Sequence, residues 1–250
     1  RVDREVARVA FRGDIDALRI QDEKQVEYRS QRAGLMHACG HDAHAAICFG
    51  TASALAGLAA RDQTPWPLAW RAILQPEEET ATGARRLIDW GALQDVRAAY
   101  ALHVDPTRPA GAVGICSGPF TASCDGLEFT ITGLGGHGAR PHESKDPIAA
   151  TAQLINALYQ FVPLATDSFD AVVLSIGRVE SGQNPNVIPD RAELSGTLRT
   201  LSPAVRERTI AKVEQIVRGV SEVTDTDIEM TLTASIPAVE NDPNATEIVR

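Results

Sequence analysis

The stretch Gly34-Leu35-Met36-His37-Ala38-Cys39-Gly40-His41-Asp42-Ala43-His44 places three histidines, a cysteine and an aspartate within eight residues. Thiolate, imidazole and carboxylate are the side chains that bind borderline transition metals, so a metal site is the first chemistry suggested. In a regular helix Cys39 and His41 would diverge by about 200° and could not share an ion. A turn entering a helix can aim both inward, and Gly40 permits such a turn. The same residues would also serve a helix cap beside a buried thiol, with the histidines solvated.

Positioning such a site requires strands that end nearby. Val6 to Phe11 reads as a largely buried strand running into Arg12-Gly13-Asp14-Ile15-Asp16. Ala43 to Ala60 is an Ala-rich helix, apolar almost all round and therefore expected to be buried. Leu68 to Leu74 is a second strand delivering Gln75-Pro76-Glu77-Glu78-Glu79, and Thr82 to Trp90 a helix closed by Gly91. Ala98 to Leu102 is a third strand, delivering His103. Strands separated by helices predict an α/β domain with a mainly parallel sheet, over 1–113. Sites in such sheets form beyond the carboxyl ends of the strands, so Asp16, Glu78, Glu79 and His103 could converge there with Cys39 and His41. Taken one at a time, each has an ordinary role: a Glu run at a helix start, a core histidine, a capping Asp.

From Gly118 the rhythm changes. Leu127 to Thr132 alternates like a strand covered on one face, and Pro147 to Phe161 is an amphipathic helix with Pro in its first turn. Strands at 171–179 and 191–201, a helix over 203–223 and a strand at 227–233 complete the order βαββαβ. That order predicts a split βαβ, ferredoxin-like α+β domain over 114–235, inserted in the first domain, with 236–250 beginning the return. Two turns here are rich in special residues. Gly133 to His142 presents His137, Arg140 and His142, and Gly182 to Pro189 carries amide side chains. Histidine and asparagine can donate to a developing oxyanion, and either turn could equally be a plain hairpin loop.

The chain has 250 residues, 44% hydrophobic and 23% charged, with a formal charge of −9, which argues against nucleic-acid or anionic-membrane partners. No apolar run of about 18 residues and no signal-like start is found, leaving the cytoplasm as the default location. The four cysteines, at 39, 48, 116 and 124, need no disulfide framework. The chain begins at Arg1, and 244–250 reads as a helix beginning, so the expectation is the middle of a longer protein.

The segments RGDIDALRI, GLMHACGHDAH, LQPEEE with GARRLIDWG, ALHV, ITGLGGHGARPH with DPI, and GQNPNVIPDRAELSGTLRT keep their order from residue 12 to 200. In them the sequence resembles the M20 metallopeptidase clan. MHACGHD is specific to its amidohydrolase branch of N-acyl-amino-acid, hippurate and auxin-conjugate hydrolases. The resemblance implies a two-metal centre of Zn, Mn, Co or Ni, with Cys39, His41, Glu79 and His103 as ligands, Glu78 as general base and Asp16 orienting a ligand. It implies His137 as a residue of a lid and dimerisation domain that helps hold the tetrahedral intermediate, often across a homodimer, and Asn186 and Arg199 as contacts to an N-acyl amino acid substrate. A dipeptidase, an N-carbamoyl-amino-acid hydrolase or a catalytically silent metal-stabilised dimer are the alternatives. Arg19 replaces a usual Pro and Glu77 a usual Ala, so the register of the glutamates rests on Gln75-Pro76. The family's last metal ligand is a histidine near the C-terminus, and no His follows His142 here.

Overall fold

The structure is a computed structural model that describes residues 8–65 and 67–250, the side chain of Ala234 excepted. Of the strand expected from Val6, the first two residues lie outside the described residues. The chain divides into two compact units, Arg1–Val113 and Gly114–Arg250.

Unit 1 contains β1 (Arg8–Asp14), α1 (His41–Ala60), β2 (Ala69–Gln75), α2 (Gly83–Asp89) and β3 (Val96–Ala101). Its sheet is parallel in the order β2-β1-β3. The register aligns Asp14 with Gln75 and Arg12 with Ala101, so the chain beyond each strand leaves from one edge. Asp16, Glu78 and Glu79, and His103 are on those extensions. At the end of α2, Gly91 adopts φ +84, its N–H bonds to the Ile88 carbonyl at 2.9 Å, and the Ala92 N–H bonds to the Leu87 carbonyl at 2.9 Å. This paired closure is open to glycine because the position requires a left-handed backbone.

α1 departs from expectation. Its buried residues are His41, His44 and Cys48, while Phe49 is 71% exposed. The helix lays one narrow stripe against β1, where Gly13 leaves no room for a Cβ beside the His44 carbonyl and Cys48. β2 also meets the helix, but most of its apolar surface stays open to solvent. By length and composition α1 could also cross a membrane, a run overlooked in the sequence because His41, Asp42 and His44 interrupt its start.

Unit 2 contains β4 (Gly118–Thr121), β5 (Cys124–Thr132), β6 (Gly136–His137), a 3₁₀ turn at Pro141–Glu143, α3 (Pro147–Leu164), β7 (Val172–Ser181), β8 (Val187–Ile188), β9 (Arg191–Thr200), α4 (Pro203–Thr224), β10 (Asp227–Ile236), β11 (Val239–Asn241) and α5 (Pro243–Ile248). The main sheet is antiparallel, in the order β10-β5-β9-β7. Alternate residues Leu127, Phe129 and Ile131 of β5 point into a core with Leu154 and Leu158 of α3, Leu194 and Leu198 of β9, and Val213 and Val217 of α4. α3 starts where the Asp146 carboxylate accepts the Ile148 N–H at 2.8 Å, with Pro147 in the first turn. Residues 236–250, expected to begin a return to the first domain, group with unit 2, because β11 pairs antiparallel with β4 and the Asn241 amide donates to the Cys116 carbonyl.

Candidate metal centre

The site in unit 1 is assembled by the turn before α1. Leu18 and Met36 exchange backbone hydrogen bonds of 2.9 and 3.1 Å, clamping the histidine-rich stretch against the residues that follow β1. Gly40 then turns into α1 with φ +80, at a place where a Cβ would collide with Val104. Any other residue would both strain the backbone and crowd the Val104 side chain, next to His103.

Cys39 and His41 at this turn, with Glu79 from beyond β2, bring one sulfur, one nitrogen and one oxygen within 4.8 Å of one another. His41 is buried, and its Nδ1 faces two acceptors, the Asp16 carbonyl at 3.1 Å and Asp16 Oδ1 at 3.0 Å. In the neutral ring Nδ1 must therefore carry the proton, which leaves the lone pair on Nε2. That atom is buried and has no hydrogen-bond partner among the described residues. Glu78 Oε2 and Glu79 Oε1 both lie 3.8 Å from it, and His103 Nε2 lies 3.6 Å from Cys39 Sγ. His103 donates from Nδ1 to the Val104 carbonyl at 2.7 Å, so in the neutral ring its Nε2 also presents a lone pair.

The electrostatics are those of a site short of positive charge. Burial, then the carboxylates of Glu79 and Glu78, push the Cys39 thiol up to about 11. Burial, followed by Glu79, also raises the Glu78 carboxyl above its ordinary value. For Asp16, burial would raise the carboxyl, but the N–H groups of Glu79 and Glu78 outweigh it and hold it low. A cation would reverse the first two effects by favouring the thiolate and the ionised carboxylate. A buried imidazole lone pair with no protein partner, beside a thiol and carboxylates, fits a borderline divalent metal.

Glu77 is turned elsewhere. It adopts φ +53, and its carboxylate accepts from Thr82 Oγ1 at 2.8 Å and from Arg86 at 2.7 Å. Of the three glutamates after Pro76, only Glu78 and Glu79 reach His41.

His137, Asn186 and Arg199 lie in unit 2, and all three are exposed. β6 pairs with β8, His137 opposite Val187, and the Gly138 N–H bonds to the Asn186 carbonyl at 2.9 Å, so the two special turns form one ledge. The Ala139 N–H donates to His137 Nδ1 at 3.1 Å, which puts the neutral ring's proton on Nε2. Arg199 sits apart on β9, opposite Val173. All four cysteines are free; Cys48 is buried against the Phe11 and Ile73 carbonyls.

Sequence reasoning passed over Asp14 and His44. Both are buried; they share a 2.6 Å hydrogen bond, and Arg12 donates to the other Asp14 oxygen at 2.6 Å. The available signals were Asp14 two residues before Asp16 in an extended run and His44 three residues after His41 on a helix, each spacing putting the pair on one face.

A family model for Peptidase family M20/M25/M40 matches residues 10–250. The chain belongs to that family. This M20/M25/M40 chain is 39% identical over 234 residues to an N-acetylcysteine deacetylase of Bacillus subtilis, covering 94% of the chain and 60% of the relative. It superposes on a putative aminohydrolase of methicillin-resistant Staphylococcus aureus with a TM-score of 0.92 at 30% identity, covering 99% of this chain and 66% of that one. It also superposes on a Bacillus subtilis protein described as a dinuclear metal binding peptidase from the M20 family, with a TM-score of 0.78 at 34% identity and coverage of 96% and 60%. The M20/M25/M40 chain thus spans about 60% of the length of the curated relatives it matches.

Proposed function

We propose that this protein is a metal-dependent amidohydrolase that cleaves the amide bond of N-acyl amino acids. The observation that carries the reading is the buried, unpaired Nε2 of His41 beside Cys39 and Glu79, with Glu78 Oε2 3.8 Å from it. The name of the deacetylase relative supports an N-acyl amino acid as substrate. Divalent cations (Zn, Mn, Co or Ni) held by Cys39, His41, Glu79 and His103 would supply Lewis acidity toward a water and the acyl carbonyl.

The chain's own residues carry the proton traffic. Glu78, 3.8 Å from His41 Nε2, takes a proton from the attacking water and passes it to the leaving amine, a role open to it as the ionised carboxylate that a cation would favour. Asp16 fixes the tautomer and direction of His41. In unit 2, which we read as a ferredoxin-like lid and dimerisation domain, His137 Nε2–H is the donor for the developing oxyanion, supplied to the site of a second copy in a homodimer. Asn186 contributes an amide to the same substrate, and Arg199 pairs with its carboxylate. A compartment such as the cytoplasm, which keeps Cys39 reduced, suits this chemistry.

The test is metal analysis of the full-length protein joined to a panel of N-acetyl and N-benzoyl amino acids, dipeptides and N-carbamoyl amino acids. Cys39→Ala is expected to lower metal content and turnover together. Glu78→Gln should retain metal while kcat falls by about 10²–10⁴. Mixed inactive His137→Ala and Glu78→Gln chains should recover part of the activity, and no recovery after subunit exchange would remove the in-trans role. Turnover confined to dipeptides or carbamoyl substrates would replace the N-acyl reading, and a full metal complement with no hydrolysis of any substrate would leave a structural metal site.

A further inference from the structure

Asp14, His41 and His44 form a second cluster of metal-binding side chains, fully buried. It is not a second metal site, because His44 has no free nitrogen. Its Nε2 accepts the Val104 N–H at 2.9 Å, which requires a lone pair there and puts the proton on Nδ1, and Nδ1 lies 2.6 Å from Asp14 Oδ1. The remaining Asp14 oxygen is taken by Arg12, whose Nε also donates to Gln75 Oε1 at 2.9 Å.

We infer that His44 is a positioning residue for His103. The inference rests on the reading of His103 as a metal ligand. Arg12 and His44 both donate to the Asp14 carboxylate, one to each oxygen, and His44 accepts from the Val104 N–H. The Val104 carbonyl in turn accepts the His103 Nδ1–H at 2.7 Å. The backbone of one residue, Val104, therefore joins a buried histidine to an exposed one, through its N–H on one side and its carbonyl on the other. His103 is exposed and follows the end of β3, so without this anchor its ring would sample several rotamers. With it, Nδ1 is committed to the Val104 carbonyl and Nε2 is directed at Cys39. The His44 ring adds an edge-on contact with the His103 ring at a centroid distance of 4.6 Å. Gly40 leaves room for Val104 in this position, since a Cβ there would collide with the Val104 side chain. Ligands held through such partners lose metal affinity when the partner is removed, commonly by about 10–100-fold.

The two nitrogens of His44 can be tested separately. In His44→Asn the terminal amide reaches about as far as Nδ1, keeping the bond to Asp14 and losing the acceptor for Val104. In His44→Gln the terminal oxygen reaches about as far as Nε2 and can keep that acceptor. Metal affinity is measured by chelator competition, and amide exchange at Val104 is measured in the metal-free protein. The expected result is that His44→Asn weakens metal binding by about 10–100-fold and speeds Val104 exchange. His44→Gln should restore most of both. Should His44→Asn not fold, Val104→Pro deletes the donor with both histidines in place and should weaken metal binding likewise. Equal losses in the Asn and Gln variants, tracking their thermal stability, would make His44 a core residue only and overturn the inference. Unchanged affinity in both would also overturn it. A parent protein that binds no metal sinks the metal reading, and the inference with it, whereas metal binding by the parent and all variants alike sinks the inference alone.

Discussion

In unit 2 the largest fully buried side chains are Phe129, Leu127, Ile131, Leu154, Leu158, Leu194, Leu198 and Val213, with Thr200 and Asp125 beside them; in unit 1 they are Asp14 and His41. The apolar residues buried in unit 1 are small or few: Ala10, Cys48, Ala69 and Ile73. Unit 2 is thus held by apolar area, a stabilisation roughly proportional to the surface removed from water and indifferent to direction. Unit 1 buries groups that are favourable only while each has its partner, since a buried charge or imidazole left alone costs more than the bond it made. The same distinction holds for the charges of unit 2. Asp125 is fully buried yet answered by a two-pronged Arg206 at 2.7 and 2.7 Å, and it anchors strand to helix with no atom left over. His41 Nε2 is left over, which is why the chemistry is assigned to unit 1.

Three measurements would break or sharpen that contrast. The largest effect is expected from Leu154→Ala, which empties a fully buried position of α3 and should destabilise unit 2 by about 2–5 kcal/mol in denaturant unfolding. Metal content per folded molecule should not change; a parallel loss of metal would show that the two units do not fail separately. Next is metal removal. A ligand present at 100 times its dissociation constant adds about 2.7 kcal/mol to the state that binds it. Stripping metal should therefore speed amide exchange in β1 and at the start of α1, while β5 and β9 keep their protection. Equal loss of protection in both would contradict the assignment of the metal to unit 1.

The smallest effect is expected at Asp22, a buried carboxylate that organises the loop before the histidine-rich stretch. It accepts the Ser30 N–H at 2.9 Å and the Lys24 N–H at 3.0 Å. The Ser30 N–H, ahead of the Lys24 contacts, holds its carboxyl below the ordinary range. A depressed folded pKa means that the contribution is fully present above the unfolded value of about 3.9 and is lost as pH falls through the folded value. Protection of the Ser30 amide, taken relative to its intrinsic exchange rate at each pH, should fall on acidification below about pH 4 in the parent. Asp22→Asn should remove that acid step, and a parent whose Ser30 exchange shows no acid step beyond the intrinsic one would refute the assignment.

Much of unit 2 could be read from the chain, because a period of two in Leu127, Phe129 and Ile131 and a helical period in α3 and α4 each declare one buried face. The exposure of α1 could not. An apolar helix is buried only where another element reaches it, and nothing in Ala43 to Ala60 says how much of its surface β1 and β2 will cover. Likewise the triple glutamate was legible as carboxylates after a strand. That Glu77 would turn to Arg86 while Glu78 and Glu79 reached His41 depended on a left-handed residue and a partner nine positions away.

The sequence by itself determined which residue types could do chemistry here: a thiol and an imidazole flanking a glycine, paired carboxylates after one strand and a histidine after another. It also determined that those strands alternate with helices, since hydrophobic periodicity is a local property of the chain. Only the tertiary structure separated His41 from His44. They stand on the same face of one helix, and each is tied through Nδ1 to a carboxylate of the same run, Asp16 for one and Asp14 for the other. Their difference lies in what meets Nε2. For His44 it is the Val104 N–H, brought from 60 residues along the chain by the pairing of β1 with β3. For His41 it is no hydrogen-bonding group among the described residues. A side chain's type is fixed where it is encoded, but whether its lone pair is consumed or left free depends on which backbone folds against it, and that contact exists only in three dimensions.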